Sequence, residues 1–279
     1  AIEGKTNEFG LDPYELANRL SFHFWQSMPD EVLMAKADDG TLSDPAVYEA
    51  EVKRIFEDPK TARSVQRFVT EWLWLDELPE MNGLVGTPLY DAFAGEDSPS
   101  DDLKEDMIAD VVSAGSYYFQ ENPGSFDDFF TSSKSFARSA ELAKIYDTPI
   151  WDGTSEPPTF SDPTRVGLFT RAAFLATGVV NTRPIMKGVF IREGLLCTIP
   201  PPPDANAVNT MIDLRPDMTT REVVEEITEA PGTSCAGCHL TYINGLGFPT
   251  ENFDSLGRSR THQTLFDFDG NILGTKEVN

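Results

Sequence analysis

Cysteine is scarce in this chain of 279 residues: there are three, Cys197, Cys235 and Cys238. That number excludes a disulfide framework, because two of the three sit in one short motif and leave a single partnerless thiol. Histidine is equally scarce, with three residues, so a structural zinc centre built from paired Cys/His motifs has few donors to draw on. Long apolar runs are missing too. The longest, such as 172–180, is broken by Thr177 and Gly178 and falls well short of the roughly 18 apolar residues a membrane span requires. No membrane span is expected. Basic residues are few, 22 Lys and Arg against 46 Asp and Glu, for a formal net charge of -24. Such a surface repels a phosphate backbone and argues against a nucleic-acid partner; it attracts cationic partners and keeps an exported protein soluble.

What is present is an ordinary globular composition, 40% apolar and 11% aromatic, with length for about two domains. The first half reads as helices punctuated by their caps. Asp12-Pro13-Tyr14-Glu15 combines an Asp N-cap, Pro at the first helical position and Glu at the third. Leu16, Leu20, Phe24 and Trp25 follow as a core-facing stripe. A short helix runs on to Gly40. Asp44-Pro45 opens another, and after Asp58-Pro59 the residues Val65, Phe68, Val69, Trp72 and Leu75 form a wide apolar face. The stretch 83–99, rich in Gly, Pro and Asp, reads as a loop. A long helix is expected over about 101–120. The Pro-, Gly- and Ser-rich stretch 149–163 is the best boundary, giving domains 1–150 and 151–279. Beyond it, 165–178 and 185–197 look helical, Pro200 to Pro203 must be extended, and Thr219-Thr220-Arg221-Glu222 is a capping box. Strand patterns are scarce apart from one hairpin around Asp267 to Gly270, a turn that fits better than a calcium loop because it lacks the EF-hand glycine and terminal Glu. Cys197, in an apolar run, is expected to be a buried, inert thiol. The fold class is mainly α.

Ser234-Cys235-Ala236-Gly237-Cys238-His239 carries the chemistry. Positions i, i+3 and i+4 share one face of a helical turn, so two thiols and an imidazole point together. Cys-x-x-Cys-His is the arrangement of c-type haem attachment: the thiols bond to two porphyrin vinyl groups and the imidazole reaches the iron. A thioredoxin-like pair would need a βαβ context, and structural zinc would need further ligands from Cys197 or His262. After the motif, Gly245 and Gly247 allow unusual backbone angles and close approach to a flat cofactor, and Phe248 and Phe253 could pack on it. The second axial ligand is not evident. The candidates are Met218, Met211 and His262, then Met186 and His23. An open or Tyr242-occupied position would instead permit peroxide or oxygen chemistry.

These residues bring a family into view. Residues 11–21 (Leu-Asp-Pro-Tyr-Glu-Leu-Ala-Asn-Arg-Leu-Ser) with Trp25 and Ser27-Met28-Pro29-Asp30, then Gly40-Thr41-Leu42 and 68–72, form one set of motifs. Arg165-Val166-Gly167-Leu168, Pro184, Lys187-Gly188, Leu195-Leu196-Cys197, the proline run, 235–239, Glu251-Asn252-Phe253-Asp254 and Leu256-Gly257-Arg258 form a second. Together they resemble two consecutive domains of the secreted multidomain c-type cytochromes abundant in planctomycetes and found also in myxobacteria and marine proteobacteria. Members often read Asn-Pro-Leu-Gly-Phe where this chain has Asn244-Gly245-Leu246-Gly247-Phe248. The resemblance implies one haem c in a cytochrome c-like second domain with long extended loops, and export to the periplasm or beyond a Gram-negative cell. It implies membership of a larger protein or assembly, but no particular reaction. The chain opens with Ala1, so a removed leader or a piece of a longer chain is expected. The function expected is single-electron transfer to a redox partner with a basic docking surface. The alternatives are a haem peroxidase or oxidase, or a binding module on polysaccharide displaying Trp72 and Trp74.

Overall fold

The computed structural model describes residues 10–122, 124, 126–202 and 216–278. The chain is mainly helical, 54% helix against 6% strand, and its contacts group into two compact units: 1–69 with 115–124, and 70–114 with 125–279. The expected 1–150/151–279 split divides the sequence; spatial contacts group the chain along another line, for reasons that lie in the second unit.

In the first unit, helix α1 (Pro13–Trp25) starts with the capping box read from the sequence: Asp12 Oδ1 accepts from Glu15 N at 2.8 Å and Glu15 returns the bond to Asp12 N. Helices α2 (Glu31–Asp38) and α3 (Pro45–Phe56) are capped by Asp30 and Asp44. Ala17, Leu20, Trp25, Leu33, Ala37, Leu42 and Ile55 form the core. The Trp25 indole donates to the Ile55 carbonyl at 3.2 Å, so its polar edge is satisfied where it is buried. Arg54 bridges Asp30 (2.8 Å) and Glu51 (2.7 Å), and Lys36 adds to Glu51 at 2.6 Å. Helix α4 (Thr61–Trp72) crosses into the second unit. It buries Val65 and Val69, but Phe68, read as part of its apolar face, is exposed.

In the second unit the loop expected over 83–99 contains helix α5 (Pro88–Ala94): Pro88 at its start supplies a helical φ, and Gly95 at φ 60° ends it. Helix α6 (Leu103–Ser116) follows and widens into a π turn over Tyr117–Glu121, its last residues and that turn belonging to the first unit. Next come α7 (Phe126–Thr131), on which Trp72 stacks through Phe126, Phe129 and Phe130, and α8 (Ala140–Tyr146). Trp74 lies beyond the end of α4 and turns edge-on to Phe190, so the two tryptophans do not form an exposed row.

The proline-rich stretch after α8 is pinned rather than free. Ser135 N donates to Pro158 O, Phe160 N to Ser133 O and Trp151 N to Ala137 O, each at 2.8 Å. Two buried arginines tie the same region together. Arg171 pairs with Asp110 at 2.9 Å, both side chains fully buried, and Tyr146 donates to the same carboxylate at 2.8 Å. The Arg165 guanidinium lies 4.7 Å from the Tyr146 and Phe253 ring centres and donates to the carbonyls of Thr170 and Gly257. Asp110 lies before the sequence boundary and Arg171 after it, which is why contacts do not respect that boundary. The arginines also explain why 165–178 is not one helix. Their side chains are drawn to distant partners, Gly257 O for Arg165 and Asp110 and Lys134 O for Arg171, and Gly167 turns to φ 66°, leaving a 3-10 turn (Leu168–Thr170) and the short helix α9 (Ala172–Leu175).

Helix α10 (Pro184–Phe190) runs into a π turn (Ile191–Leu195), after which Cys197 adopts φ 51° and is exposed. The burial expected for it is thus corrected: the chain turns outward one residue after Leu196, itself half exposed. Helix α11 (Thr220–Thr228) opens with the Thr219/Glu222 capping box. Helix α12 (Ser234–Cys238), a π turn (His239–Ile243) and α13 (Asn244–Gly247) follow without a break. Strands β1 (His262–Phe266) and β2 (Ile272–Glu277) make the hairpin. In its turn Asp267 accepts from Asp269 N, Asn271 N and the Asn271 amide, which occupies the carboxylate locally and accounts for its pKa below the usual range. No helix among the described residues is long and apolar enough to cross a membrane.

Candidate functional site

Helix α12 is a single turn, started by Thr233, whose hydroxyl accepts from Ala236 N at 3.2 Å. It carries Cys235 and Cys238 three residues apart, with His239 next. All three are half-buried and both cysteines are free. Around them Leu240 and Tyr242 are exposed, and Arg192 donates to the Tyr242 carbonyl at 2.9 Å while lying 5.4 Å over its ring. The motif therefore sits at the surface of its unit with apolar side chains beside it.

The His239 ring is held from one side. Its Nδ1 lies 3.2 Å from Asn244 Oδ1. Asn244 is almost fully buried and its amide nitrogen reaches Thr228 Oγ1 at 2.9 Å and Glu229 Oε1 at 2.8 Å. The His239 Nε2 atom has no hydrogen-bond partner among the described residues.

The floor under the motif is a close helix contact. Gly188 of α10 and Gly247 of α13 face backbone: a Cβ on Gly188 would fall on the Ile243 carbonyl, and one on Gly247 on the Pro184 carbonyl. Gly247 thus has its close approach to a neighbouring helix, in an ordinary helical conformation. Gly245 is exposed, with open space where a Cβ would stand. Phe248 is buried with the Arg221 guanidinium 4.7 Å over its ring, and Phe253 is buried against Arg165. Nearby, Lys187 is buried and donates to Thr250 Oγ1 at 3.1 Å; burial pushes its pKa down to about 8, partly opposed by Glu251. Glu251 is itself buried, bonded by Thr182 (2.7 Å) and Arg260 (3.2 Å) through one oxygen, while the other has no hydrogen-bond partner.

The candidate second ligands are dispersed. Met218 is half-buried and lines a cavity of about 330 Å³ with Val223, Val224, Leu265 and Phe266. Met186 is exposed beside a cavity of about 230 Å³ that also borders Lys187 and Phe190. Neither cavity is lined by Cys235, Cys238 or His239. His262 is exposed at the start of β1, 3.0 Å from Thr261 Oγ1, and His23 is exposed on α1 in the first unit. Met211 lies outside the described residues. Among the described residues no group of three or more His, Cys, Asp or Glu converges as a metal site would, so a four-ligand zinc site finds no donor set there. A porphyrin brings four nitrogens of its own and needs only one or two from the chain.

The sequence showed Asn244, Lys187 and Glu251 only within family-like motifs and gave none of them a role. Asn244 lies five residues after His239, about 140° away around an α-helix. Only the π turn, in which Asn244 N donates to His239 O, stacks residues five apart.

Residues 11–148 match the model of the family PSD4, described as a protein of unknown function (DUF1592), and residues 165–263 match PSCyt3, likewise described as a protein of unknown function (DUF1588). No curated protein matches the chain, and no solved structure does. The chain thus joins in tandem regions that match two planctomycete-type, cytochrome-like domain families of unknown function.

Proposed function

We propose that this protein is a c-type cytochrome that carries one haem on Cys235, Cys238 and His239 and passes single electrons in the periplasm or outside the cell. The observation that carries the reading is the local geometry of one helical turn. Two free thiols lie three residues apart, and the next residue is a histidine anchored at Nδ1 with Nε2 unpartnered. Those residues fit the group: the thiols are accessible for thioether bonds, the imidazole offers one nitrogen, and Gly237 and Gly245 leave open space beside the turn. When bound, the haem supplies a one-electron iron couple.

The chain's own residues do the rest. Cys235 and Cys238 would hold the haem through their thiols, and the His239 imidazole would bind its iron. Leu240 and Tyr242 add apolar surface where a partner would approach. The net charge of -24 attracts a cationic partner to the protein, and raising ionic strength weakens that attraction.

The test is the absorption spectrum of the haem-loaded protein, oxidised and reduced, before and after carbon monoxide or peroxide. A spectrum indifferent to both is expected of an electron carrier with both axial positions filled. Rapid ligand binding would contradict that role and turn the reading toward a peroxidase or oxidase with an open sixth position.

A further inference from the structure

Asn244 can present either its carbonyl or its amide nitrogen to His239, and its other neighbours decide which. The Thr228 hydroxyl already donates to Val224 O at 2.6 Å, so toward Asn244 it accepts. Glu229, when ionised, only accepts. Both therefore require the Asn244 amide nitrogen, which leaves Oδ1 facing the imidazole at 3.2 Å. An oxygen without hydrogens forces the ring nitrogen opposite it to be the donor. His239 is thus held as the Nδ1–H tautomer, with the lone pair on Nε2.

We propose that Asn244 is the positioning residue of the iron ligand: through the chain Glu229–Asn244–His239 it fixes the tautomer and rotation of His239 before any haem arrives and strengthens the imidazole as a donor afterwards. This rests on the reading of the motif as haem attachment. The physical basis is general: a metal-ligating histidine gives its other N–H to an acceptor, which sets the ring's orientation and raises its basicity. Here the acceptor is a side chain, buried to 1% exposure and clamped by α11 from behind. The π turn is what makes this possible, because it brings position 244 under position 239. A more basic imidazole favours the oxidised iron, so the contact lowers the midpoint potential.

Two measurements on the full chain test this. The first uses protein made without haem attachment, its histidines labelled with nitrogen-15 and His239 assigned by comparison with His239→Gln. At a pH where the ring is neutral, His239 is expected as the Nδ1–H tautomer, shifting toward Nε2–H in Asn244→Leu. A wild-type His239 in the Nε2–H form overturns the proposal without any variant. The second uses the haem-loaded protein. Asn244→Leu is expected to raise the midpoint potential, and Glu229→Gln to give a smaller rise because it keeps the hydrogen bond and removes the charge. Glu229 is only half-buried, so its variant serves if Asn244→Leu fails to fold. A potential unmoved in either variant, with the folded state intact, contradicts the proposal. Wild-type protein that takes up no haem contradicts the cytochrome reading and leaves the nitrogen-15 measurement to judge Asn244 alone.

Discussion

Lys187 is a cation buried at the contact between α10 and the segment following α13, where it donates to the Thr250 hydroxyl and a carboxylate, Glu251, acts only at longer range. Burial disfavours its charged form, so the folded chain releases the proton at about pH 8, while the unfolded chain keeps it to the ordinary lysine value of 10.5. Between those values the unfolded state binds more protons, and stability rises with pH. Denaturant unfolding of wild type and Lys187→Met from pH 7 to 10.5 should show the difference moving in favour of wild type by about 3 kcal/mol as pH rises. A difference independent of pH contradicts the account. Lys187 was visible in the sequence only as part of a family-like Lys-Gly pair; nothing in residue type or spacing announces a buried lysine, because its burial is imposed by Gly188 and the helix that Gly188 admits.

At the scale of elements, that same contact sets the motif's support. The Pro184 carbonyl opposite Gly247 is backbone and cannot rotate aside. Gly247→Ala should therefore push α13 from α10 and cost about 1–3 kcal/mol, read as a lowered thermal midpoint. Gly245→Ala, in chain prepared without haem, faces open space and should change stability by less than about 0.5 kcal/mol. Equal effects in the two variants would contradict the packing described. From the sequence the two glycines carried one shared expectation, and only the fold separates them. Elements with their own chemistry at the ends were legible: Asp12-Pro13, Asp44-Pro45 and Thr219 to Glu222 start helices as read. Elements decided by distant partners were not. The 165–178 stretch has helical periodicity, but Arg165 and Arg171 bury their side chains against groups as far away as Gly257 and Asp110. Helix α5 was hidden because its Gly and Pro residues lie at its ends, where they cap it rather than break it.

For the whole molecule, what the proposed chemistry requires is concentrated in one short turn at the surface of the second unit. The Cys-x-x-Cys-His motif was legible because its signal is the local spacing of two thiols and a histidine, which needs no distant partner. Asn244 was not, because a residue five positions away becomes a neighbour only through a π turn. The central claim is that this turn carries a covalent haem. The most direct test is the intact mass of the denatured chain, exported to a periplasm equipped for haem attachment, together with a haem stain of the same material. The account predicts a gain of one haem's mass and a positive stain, both abolished in Cys235→Ala/Cys238→Ala. An unmodified wild-type mass, or haem that persists on the denatured double variant, would contradict it.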